Sequence, residues 1–217
     1  MPVEAAAEVA VEVSVEDDRW EAALGDPEGV AAEAASRALA AAGQTGLRAS
    51  VSFLFADDAA VAELNGRFRG KPAPTNVLSW PVWDLRPAAR GAPPGAEPAR
   101  APITGGSADW PGTWAAEAED AESLGDVALA FDTVAREAAE AGLTLRAHAL
   151  HLCVHGVLHL LGYDHDRDGD AELMEALERR ALLAAGLPDP YVARAPVAGT
   201  IGAGQGVRAE TDGSDDR

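Results

Sequence analysis

Three histidines in the C-terminal half of the chain have a spacing that suits metal binding. His155, His159 and His165 occupy relative positions 0, 4 and 10 of the run His-Gly-Val-Leu-His-Leu-Leu-Gly-Tyr-Asp-His. Residues four apart share one face of a helix, so His155 and His159 can both direct a ring nitrogen at a point about 2 Å away. Gly162 can end this helix in a left-handed conformation, which lets His165 return to the same point. Three imidazoles without a fourth protein ligand are typical of an open, catalytic metal site.

Other polar residues near this motif could support the metal ligands or the local fold. A tetrahedral site cannot use helical residues at three successive turns, so we expect His151 to orient a ligand or to lie in the core. His148 is expected to be structural. Asp164 can either accept an imidazole N–H or cap the turn after the helix. Asp126, at the start of a strand that we expect to face the same region, is a further candidate to orient a ligand.

The same spacing occurs in zinc metalloproteases, with one difference. Their pattern is His-Glu-x-x-His-x-x-Gly-x-x-His, and their glutamate is the general base. Gly156 stands at that position here, so a peptidase would lack its proton acceptor. A glycine inside a helix costs about 1 kcal/mol relative to alanine. Either a neighbouring element or a substrate needs room at position 156, or the glycine is simply tolerated.

The elements that must position these residues can be predicted from apolar periodicity. Four strands are predicted at residues 9–15, 47–55, 75–80 and 127–131. One helix is predicted from Pro27 to about residue 42, and four more end near residues 68, 141, 161 and 185. Their predicted N-caps are Asp57 or Asp58, Asp132 or Thr133, Thr144, and Asp168 or Asp170. The order βαβαββααα predicts an α+β fold, a single domain in which helices pack on a mixed four-stranded sheet.

Two segments differ in composition from the rest of the chain. Residues 82–123 are rich in Pro, Gly and Ala, and we predict a long, flexible insertion there. Residues 196–217 are small, polar and glycine-rich, which predicts a disordered tail. The predicted domain therefore covers residues 1–195.

The charge of the chain is strongly acidic but unevenly distributed. The formal net charge is −19, which would normally argue against a nucleic-acid partner. Residues 1–30 contain nine acids and one base. Residues 64–81, by contrast, contain Arg67, Arg69 and Lys71 and no acid. A local basic patch is therefore expected in an acidic protein.

Other features favour a reducing cytoplasm. Cys153 is the single cysteine, and it is expected to be a small buried apolar residue rather than a metal thiolate. No run approaches the roughly 18 to 20 apolar residues of a membrane span, and the N-terminus lacks the pattern of a signal peptide. We therefore expect no membrane partner.

At this point the chain resembles the YbeY-type bacterial endoribonucleases, also called rRNA maturation factors. Residues 155–165 match the family signature His-Gly-x-Leu-His-Leu-x-Gly-Tyr-Asp-His at every specified position. Further similar runs lie at residues 15–20, 64–65, 68–70, 74–79, 124–126, 174–178 and 189–191. The chain departs from the family at Pro72-Ala73, where Asp-Lys is usual, and in the length of segment 82–123.

The resemblance implies a metal-hydrolase active site with one zinc ion on His155, His159 and His165, and with Arg69 as the catalytic arginine. It implies cleavage of single-stranded RNA in 16S rRNA 3′-end maturation and ribosome quality control. The implied partners are rRNA, the small ribosomal subunit, ribosomal proteins and assembly GTPases, and no DNA is expected. A metal-stabilised assembly factor that does not cleave RNA is the main alternative, and a zinc metalloprotease is the less favoured one.

A mechanism follows as a hypothesis. Zinc on three histidines can lower the pKa of water to about 7, and the resulting hydroxide would attack a phosphodiester. Arg69 would stabilise charge on the phosphoryl oxygens, because arginine stays charged and grips two oxygens at once. Arg67 and Lys71 would serve as general phosphate contacts. The sequence assigns no general base.

Overall fold

The computed structural model describes residues 7–87, 91–94 and 121–192. Its strands are β1 (Glu8–Val15), β2 (Arg48–Ala56), β3 (Val77–Pro81) and β4 (Glu122–Ala130). Its helices are α1 (Arg19–Leu24), α2 (Pro27–Ala41), α3 (Asp58–Arg69), α4 (Phe131–Glu140), α5 (Leu145–Leu160) and α6 (Asp168–Ala184).

The four strands form one mixed sheet in the order β1-β2-β4-β3. Strands β1, β2 and β4 are parallel, and β3 pairs antiparallel with β4. Side chains alternate between the two faces of a strand. In β2, Val51, Phe53 and Phe55 face the main core, which is shared with the helices. The α+β fold with a mixed four-stranded sheet is therefore confirmed.

The helix that carries the histidines, α5, lies at the centre of the molecule. It packs against α2, α4 and α6 and against strands β3 and β4. Burial on most sides explains why its sequence is apolar almost all round. The Thr144 hydroxyl caps its first turn by accepting the Ala147 N–H at 3.2 Å. At the other end Gly162 has a φ of 88°, so the predicted cap and the predicted glycine turn are both confirmed.

The structure decides between the two N-caps predicted for α3, and it shows that both N-caps predicted for α4 are wrong. Asp57 caps α3 by accepting the Ala60 N–H at 2.8 Å. Neither Asp132 nor Thr133 caps α4, because β4 runs directly into that helix at Phe131. The Asp58 carboxylate serves α4 instead, and it accepts from the Thr133 N–H at 3.0 Å and its hydroxyl at 2.7 Å.

Several element boundaries also differ from the prediction. Helix α1 was not predicted, because six residues are too few for a clear helical period. Helix α6 begins at Asp168 with Arg167 as its cap residue, so neither predicted aspartate is the N-cap. Strand β4 begins at Glu122 rather than at residue 127, and Phe131 belongs to α4. Pro81 ends β3 instead of following it, as an edge strand allows.

Part of the predicted organisation lies outside the described residues. This applies to most of the insertion at 82–123 and to the tail at 196–217. The assignment of residues 1–195 to one domain therefore stays a prediction. Among the helices of the described ranges, none is long and apolar enough to cross a membrane.

Candidate metal centre

The structure brings the three predicted metal ligands together. His155 and His159 lie one turn apart on α5, and their ring centroids are 4.5 Å apart. His165 returns after the glycine turn, with its ring centroid 5.4 Å from that of His155 and 5.0 Å from that of His159. One nitrogen from each ring lies within 4.8 Å of the others. The three imidazoles could therefore hold one ion.

Hydrogen bonds fix the orientation of the two helical imidazoles. The Nδ1 atom of His155 lies 2.8 Å from Glu178 Oε1, and that of His159 lies 2.9 Å from the Tyr163 carbonyl oxygen. Each Nδ1 must donate to its oxygen, so each Nε2 of the neutral ring carries a lone pair. These two Nε2 atoms are 3.0 Å apart. Two nitrogens on one tetrahedral zinc ion at about 2.05 Å lie roughly 3.3 Å apart, so the donor set fits such an ion.

Burial keeps the imidazole of His159 neutral. It lowers the pKa of His159 to about 4, and the nearby imidazoles of His155 and His165 lower it further. A histidine binds metal through a neutral ring nitrogen. At neutral pH, His159 is therefore in the form that binds an ion.

Glu178 is the residue of this centre that the sequence argument missed. It lies on α6, is 1% exposed, and accepts from His155. Burial alone would raise the pKa of this carboxyl, but hydrogen bonds from His151 and His155 hold it below its ordinary value. A signal was present in the sequence, since an acid stands within the apolar stripe of α6. The buried members of that stripe are Met174, Leu177, Ala181 and Leu182.

The remaining two histidines are not among the grouped ligands. The Nε2 atom of His151 lies 2.6 Å from Glu178 Oε2, so this residue contacts the carboxylate that orients His155. The Nε2 atom of His148 lies 3.0 Å from Glu137 Oε2. His151 thus supports the orientation of His155 indirectly, and His148, which was expected to be structural, contacts α4 instead of the imidazole cluster.

The two aspartates considered near the motif have other roles. Asp164 Oδ1 accepts the backbone N–H of His165 at 2.7 Å, which favours the turn over the imidazole contact. The prediction that Asp126 faces the histidines is wrong. Its neighbour Val127 points at α5, so Asp126 lies on the opposite face of the sheet. There, burial raises the pKa of Asp126 to about 6, against a hydrogen bond from Ser52.

The structure explains the glycine that follows the first ligand. A Cβ atom at Gly156 would lie 2.7 Å from Val127 Cγ1 and 3.1 Å from Cγ2. A neighbouring strand therefore requires the glycine, and this settles the alternatives left open by the sequence. A side chain at position 156 would also point into β4, away from the imidazole cluster.

A cleft of about 430 Å³ opens beside the histidines. His159, His165, Ser79 and Arg69 line it together. Arg69 is the last residue of α3, and its guanidinium donates to the Ser79 carbonyl oxygen at 3.5 Å. The cleft thus combines two of the three imidazoles with an exposed cation from a distant part of the chain.

The two other cations of the basic patch are placed differently. Arg67 and Lys71 are exposed near the same end of α3 but do not line the cleft. The guanidinium of Arg67 lies 5.3 Å from the ring centroid of Phe68. Arg69 is therefore the member of the patch that can reach a group bound beside the histidines.

The first residues of the predicted insertion form a wall of this cleft. Trp83, Asp84, Leu85 and Arg86 all line it. This segment approaches the turn after α5 so closely that a Cβ atom at Gly162 would lie 2.7 Å from the Leu85 carbonyl carbon. Arg86 donates to Asp84 at 2.9 and 3.0 Å and holds the pKa of that carboxyl below its ordinary value.

Cys153 lies within α5 and is fully buried. Burial raises the pKa of its thiol well above the ordinary value. The protonated thiol packs in the core as a small apolar side chain, as predicted.

Known proteins resemble this chain over most of its length. The solution structure of TM1509 from Thermotoga maritima matches with a TM-score of 0.42 at 16% identity, covering 85% of this chain and 100% of that one. Proteins named Endoribonuclease YbeY are 44% identical over 185 residues in Dinoroseobacter shibae and 46% identical over 181 in Cereibacter sphaeroides. These alignments cover 85% and 83% of this chain, and 92% and 98% of the relatives. The sequence model of the family described as Endoribonuclease YbeY matches residues 16–186. The chain therefore belongs to the YbeY endoribonuclease family.

Proposed function

We propose that this protein is a metal-dependent endoribonuclease that cleaves single-stranded RNA in the maturation of the 16S rRNA 3′ end and in ribosome quality control. One observation carries the proposal. In a chain of the YbeY family, three imidazoles could hold an ion, and two of them, those of His159 and His165, line a cleft together with Arg69. A phosphodiester in that cleft would lie between a metal and a cation, the two charges that favour its hydrolysis.

The proposed cofactor is one zinc ion held by His155, His159 and His165. Neutral imidazole nitrogens suit zinc, and three of them leave a coordination position for water or substrate. When bound, zinc would supply Lewis acidity and would lower the pKa of a coordinated water to about 7. The hydrogen bonds that His155 and His159 donate from Nδ1 would orient both rings for this role.

Arg69 is proposed to contact the scissile phosphate. Helix α3 ends there, because Gly70 adopts a φ of 68° in the left-handed region. A guanidinium stays charged and can give two parallel hydrogen bonds to phosphate oxygens, which would stabilise the negative charge that grows on them. Arg67 and Lys71, outside the cleft, would attract flanking phosphates at longer range.

The net charge of −19 does not contradict an RNA substrate. Much of the acidity lies in residues 1–30, whereas residues 64–81 contain three cations and no acid. With a Debye length of about 8 Å at physiological salt, local charges matter more to a bound strand than distant ones. The proposed partners are accordingly rRNA and the small ribosomal subunit in the cytoplasm, with ribosomal proteins and assembly GTPases.

Mapping rRNA 3′ ends in cells tests whether the protein cleaves RNA or only assists assembly. Cells would carry wild-type protein, Arg69→Ala or the control Arg136→Ala, which removes an exposed cation of α4 paired with Glu140. We expect Arg69→Ala to accumulate unprocessed 16S rRNA 3′ ends while Arg136→Ala behaves as wild type. Normal 3′ ends in Arg69→Ala cells, at equal protein levels, would contradict the proposal and favour a non-cleaving assembly factor.

A further inference from the structure

Glu178 is an acid buried in the core, and within the described ranges its ion-pair partners are His151 and His155 rather than a lysine or an arginine. Its side chain is 1% exposed, and burying an ionised carboxylate is costly unless hydrogen bonds satisfy it. Three donors do so. His155, His151 and Tyr191 all direct a hydrogen toward this carboxylate.

We propose that Glu178 is a positioning residue for the metal centre and that Tyr191 positions Glu178 in turn. This inference rests on the proposed metal site and extends it to the C-terminal end of the described chain. The two carboxylate oxygens of Glu178 accept hydrogen bonds from different residues. Oε1 accepts from His155 Nδ1 at 2.8 Å, whereas Oε2 accepts from the Tyr191 hydroxyl at 2.5 Å and from His151 Nε2 at 2.6 Å.

The bond to Oε1 determines which nitrogen of His155 faces the ion. Donation from Nδ1 holds the neutral ring in the tautomer whose Nε2 carries a lone pair. The negative carboxylate also makes the ring a stronger electron donor to a metal. A ring without this acceptor could rotate or carry its proton on Nε2, and in either state it would bind an ion less well.

The bonds to Oε2 prevent the carboxylate from rotating away. Tyr191 lies thirteen positions after Glu178 in the sequence, and it is brought back by its own set of contacts. Arg179 Nε donates to Asp189 Oδ2 at 2.6 Å, and Asp189 Oδ1 accepts the Tyr191 N–H at 2.9 Å. The Arg179 guanidinium also lies 5.6 Å from the Tyr191 ring centroid. These contacts among Arg179, Asp189 and Tyr191 hold the Tyr191 hydroxyl against the Glu178 carboxylate.

The second helical ligand provides an internal comparison. His159 donates from Nδ1 to the Tyr163 carbonyl oxygen, a main-chain acceptor from the turn that follows the same helix. His155 depends instead on a side chain from α6. Substitutions at Glu178 and at Tyr191 should therefore weaken metal binding without altering a proposed ligand.

The test measures zinc affinity, by competition with a chromophoric chelator, for the folded full-length protein. The variants are Glu178→Gln, Tyr191→Phe and the double variant. Glu172→Gln removes an exposed acid of the same helix and is the matched control. We expect about a 10- to 100-fold weaker zinc affinity for Glu178→Gln. We expect about a fivefold loss for Tyr191→Phe, which removes one hydrogen bond, and no change for Glu172→Gln.

The double variant separates positioning from a general structural role. If Tyr191 acts through Glu178, removing its hydroxyl should have no further effect on zinc affinity once Glu178 is glutamine. The absorption spectrum of the Co²⁺-substituted protein should also shift in Glu178→Gln and Tyr191→Phe but not in Glu172→Gln. Tyr191→Phe retains the ring and its packing, so it keeps the test informative even if Glu178→Gln does not fold.

Two results would overturn the inference, and they differ from failure of the proposed function. The first is wild-type zinc affinity in both single variants of a protein that binds zinc and loses it on His159→Ala. The second is a fully additive loss in the double variant. Absence of zinc binding by the wild-type protein would instead refute the proposed metal site itself, and the inference with it.

Discussion

At the scale of single residues, two lone pairs define the chemistry of the centre. The Nε2 atoms of His155 and His159 face each other at 3.0 Å because each Nδ1 is committed to an oxygen acceptor. Two lone pairs at this distance repel each other, and a shared cation removes that repulsion. The spacing of the histidines predicted this arrangement from the sequence. The partners of the rings were not predictable in the same way, since Glu178 comes from another helix.

Arg69 gives the first prediction at this scale. Arg69→Ala should lower kcat for single-stranded RNA by about 10²-fold or more, because removing one group that stabilises transition-state charge typically has this effect. Its zinc content should stay at the wild-type level, since a charged guanidinium has no lone pair with which to bind an ion. Steady-state kinetics with metal analysis would check this. An unchanged kcat, with Arg136→Ala as the reference, would remove Arg69 from the reaction.

Asp126 gives a prediction on the pH dependence of stability. Its pKa is raised from 3.8 to about 6 in the folded protein, so the folded state binds this proton more tightly than the unfolded state. The free energy of unfolding should therefore fall, on account of Asp126, as the pH rises from about 4 to 6. Asp126→Asn removes the buried charge and should stabilise the protein by up to about 3 kcal/mol at pH 8.

The gain from Asp126→Asn should be much smaller at pH 4, where the wild-type carboxyl is protonated in the folded state and partly protonated in the unfolded state. Urea unfolding at pH 8 and at pH 4 would measure it. The control is Asp18→Asn, which removes an exposed acid. Equal stabilisation at both pH values, or destabilisation at pH 8, would show that the Asp126 charge is not penalised by burial.

At the scale of elements, the close approach of α5 to β4 decides where the histidines stand. Gly156 lies against Val127, so the helix can sit deep on the sheet with His155 and His159 at its margin. The same contact explains why a zinc-protease glutamate cannot stand at position 156, because that position faces the sheet. The sequence showed that the glutamate was missing but not why. That reason is a tertiary contact between residues of two elements.

Gly156→Ala tests this contact. Its Cβ would overlap Val127 Cγ1, and β-branched valine has little freedom to move. Overpacking costs about 1 to 3 kcal/mol, which should exceed the helix-propensity gain of about 1 kcal/mol. We expect a lower free energy of unfolding in urea. The double variant Gly156→Ala/Val127→Ala should lose less free energy of unfolding than the sum of the losses in the two single variants, by at least about 1 kcal/mol. Additive losses would show that the two residues do not compete for space.

Element boundaries were predictable where the signal was local. Strand β1 and helix α2 follow from alternation and from Pro27, and their bounds differ from the predicted ones by one residue. The predicted N-cap of helix α4 was wrong, because the carboxylate that accepts from its first turn belongs to Asp58 of another helix. Strand β4 was predicted too short, because Leu124-Gly125-Asp126 does not show the apolar run expected of a strand. Glu178 was missed for a related reason, since its partners become visible only when α5 and α6 pack together.

At the scale of the whole molecule, the centre is assembled from four separate regions. Helix α3 contributes Arg69, α5 and its turn contribute the imidazoles, α6 contributes Glu178, and residues 83–86 form a wall. Most of the apolar core lies apart from the imidazole nitrogens, between the sheet and helices α2 and α5. A metal ion bound by these imidazoles should therefore add stability to a fold that exists without it.

Removing the metal tests that independence. At free zinc about 100 times its Kd, binding would stabilise the protein by about 2.7 kcal/mol. EDTA should then lower Tm by about 5 to 10 °C while the far-UV circular dichroism at 25 °C is retained. His159→Ala should show no EDTA effect. Loss of the folded spectrum on chelation would mean that the metal holds the fold together, as the assembly-factor alternative expects.

RNA cleavage by this protein should depend on one metal ion held by the three histidines. The most direct measurement is cleavage of a short single-stranded RNA by protein stripped of metal and then titrated with Zn²⁺, for wild type and His159→Ala. Wild-type activity should be absent after stripping and should saturate at one equivalent of zinc, whereas His159→Ala should stay inactive throughout. Full cleavage by a metal-free His159→Ala protein would contradict the account.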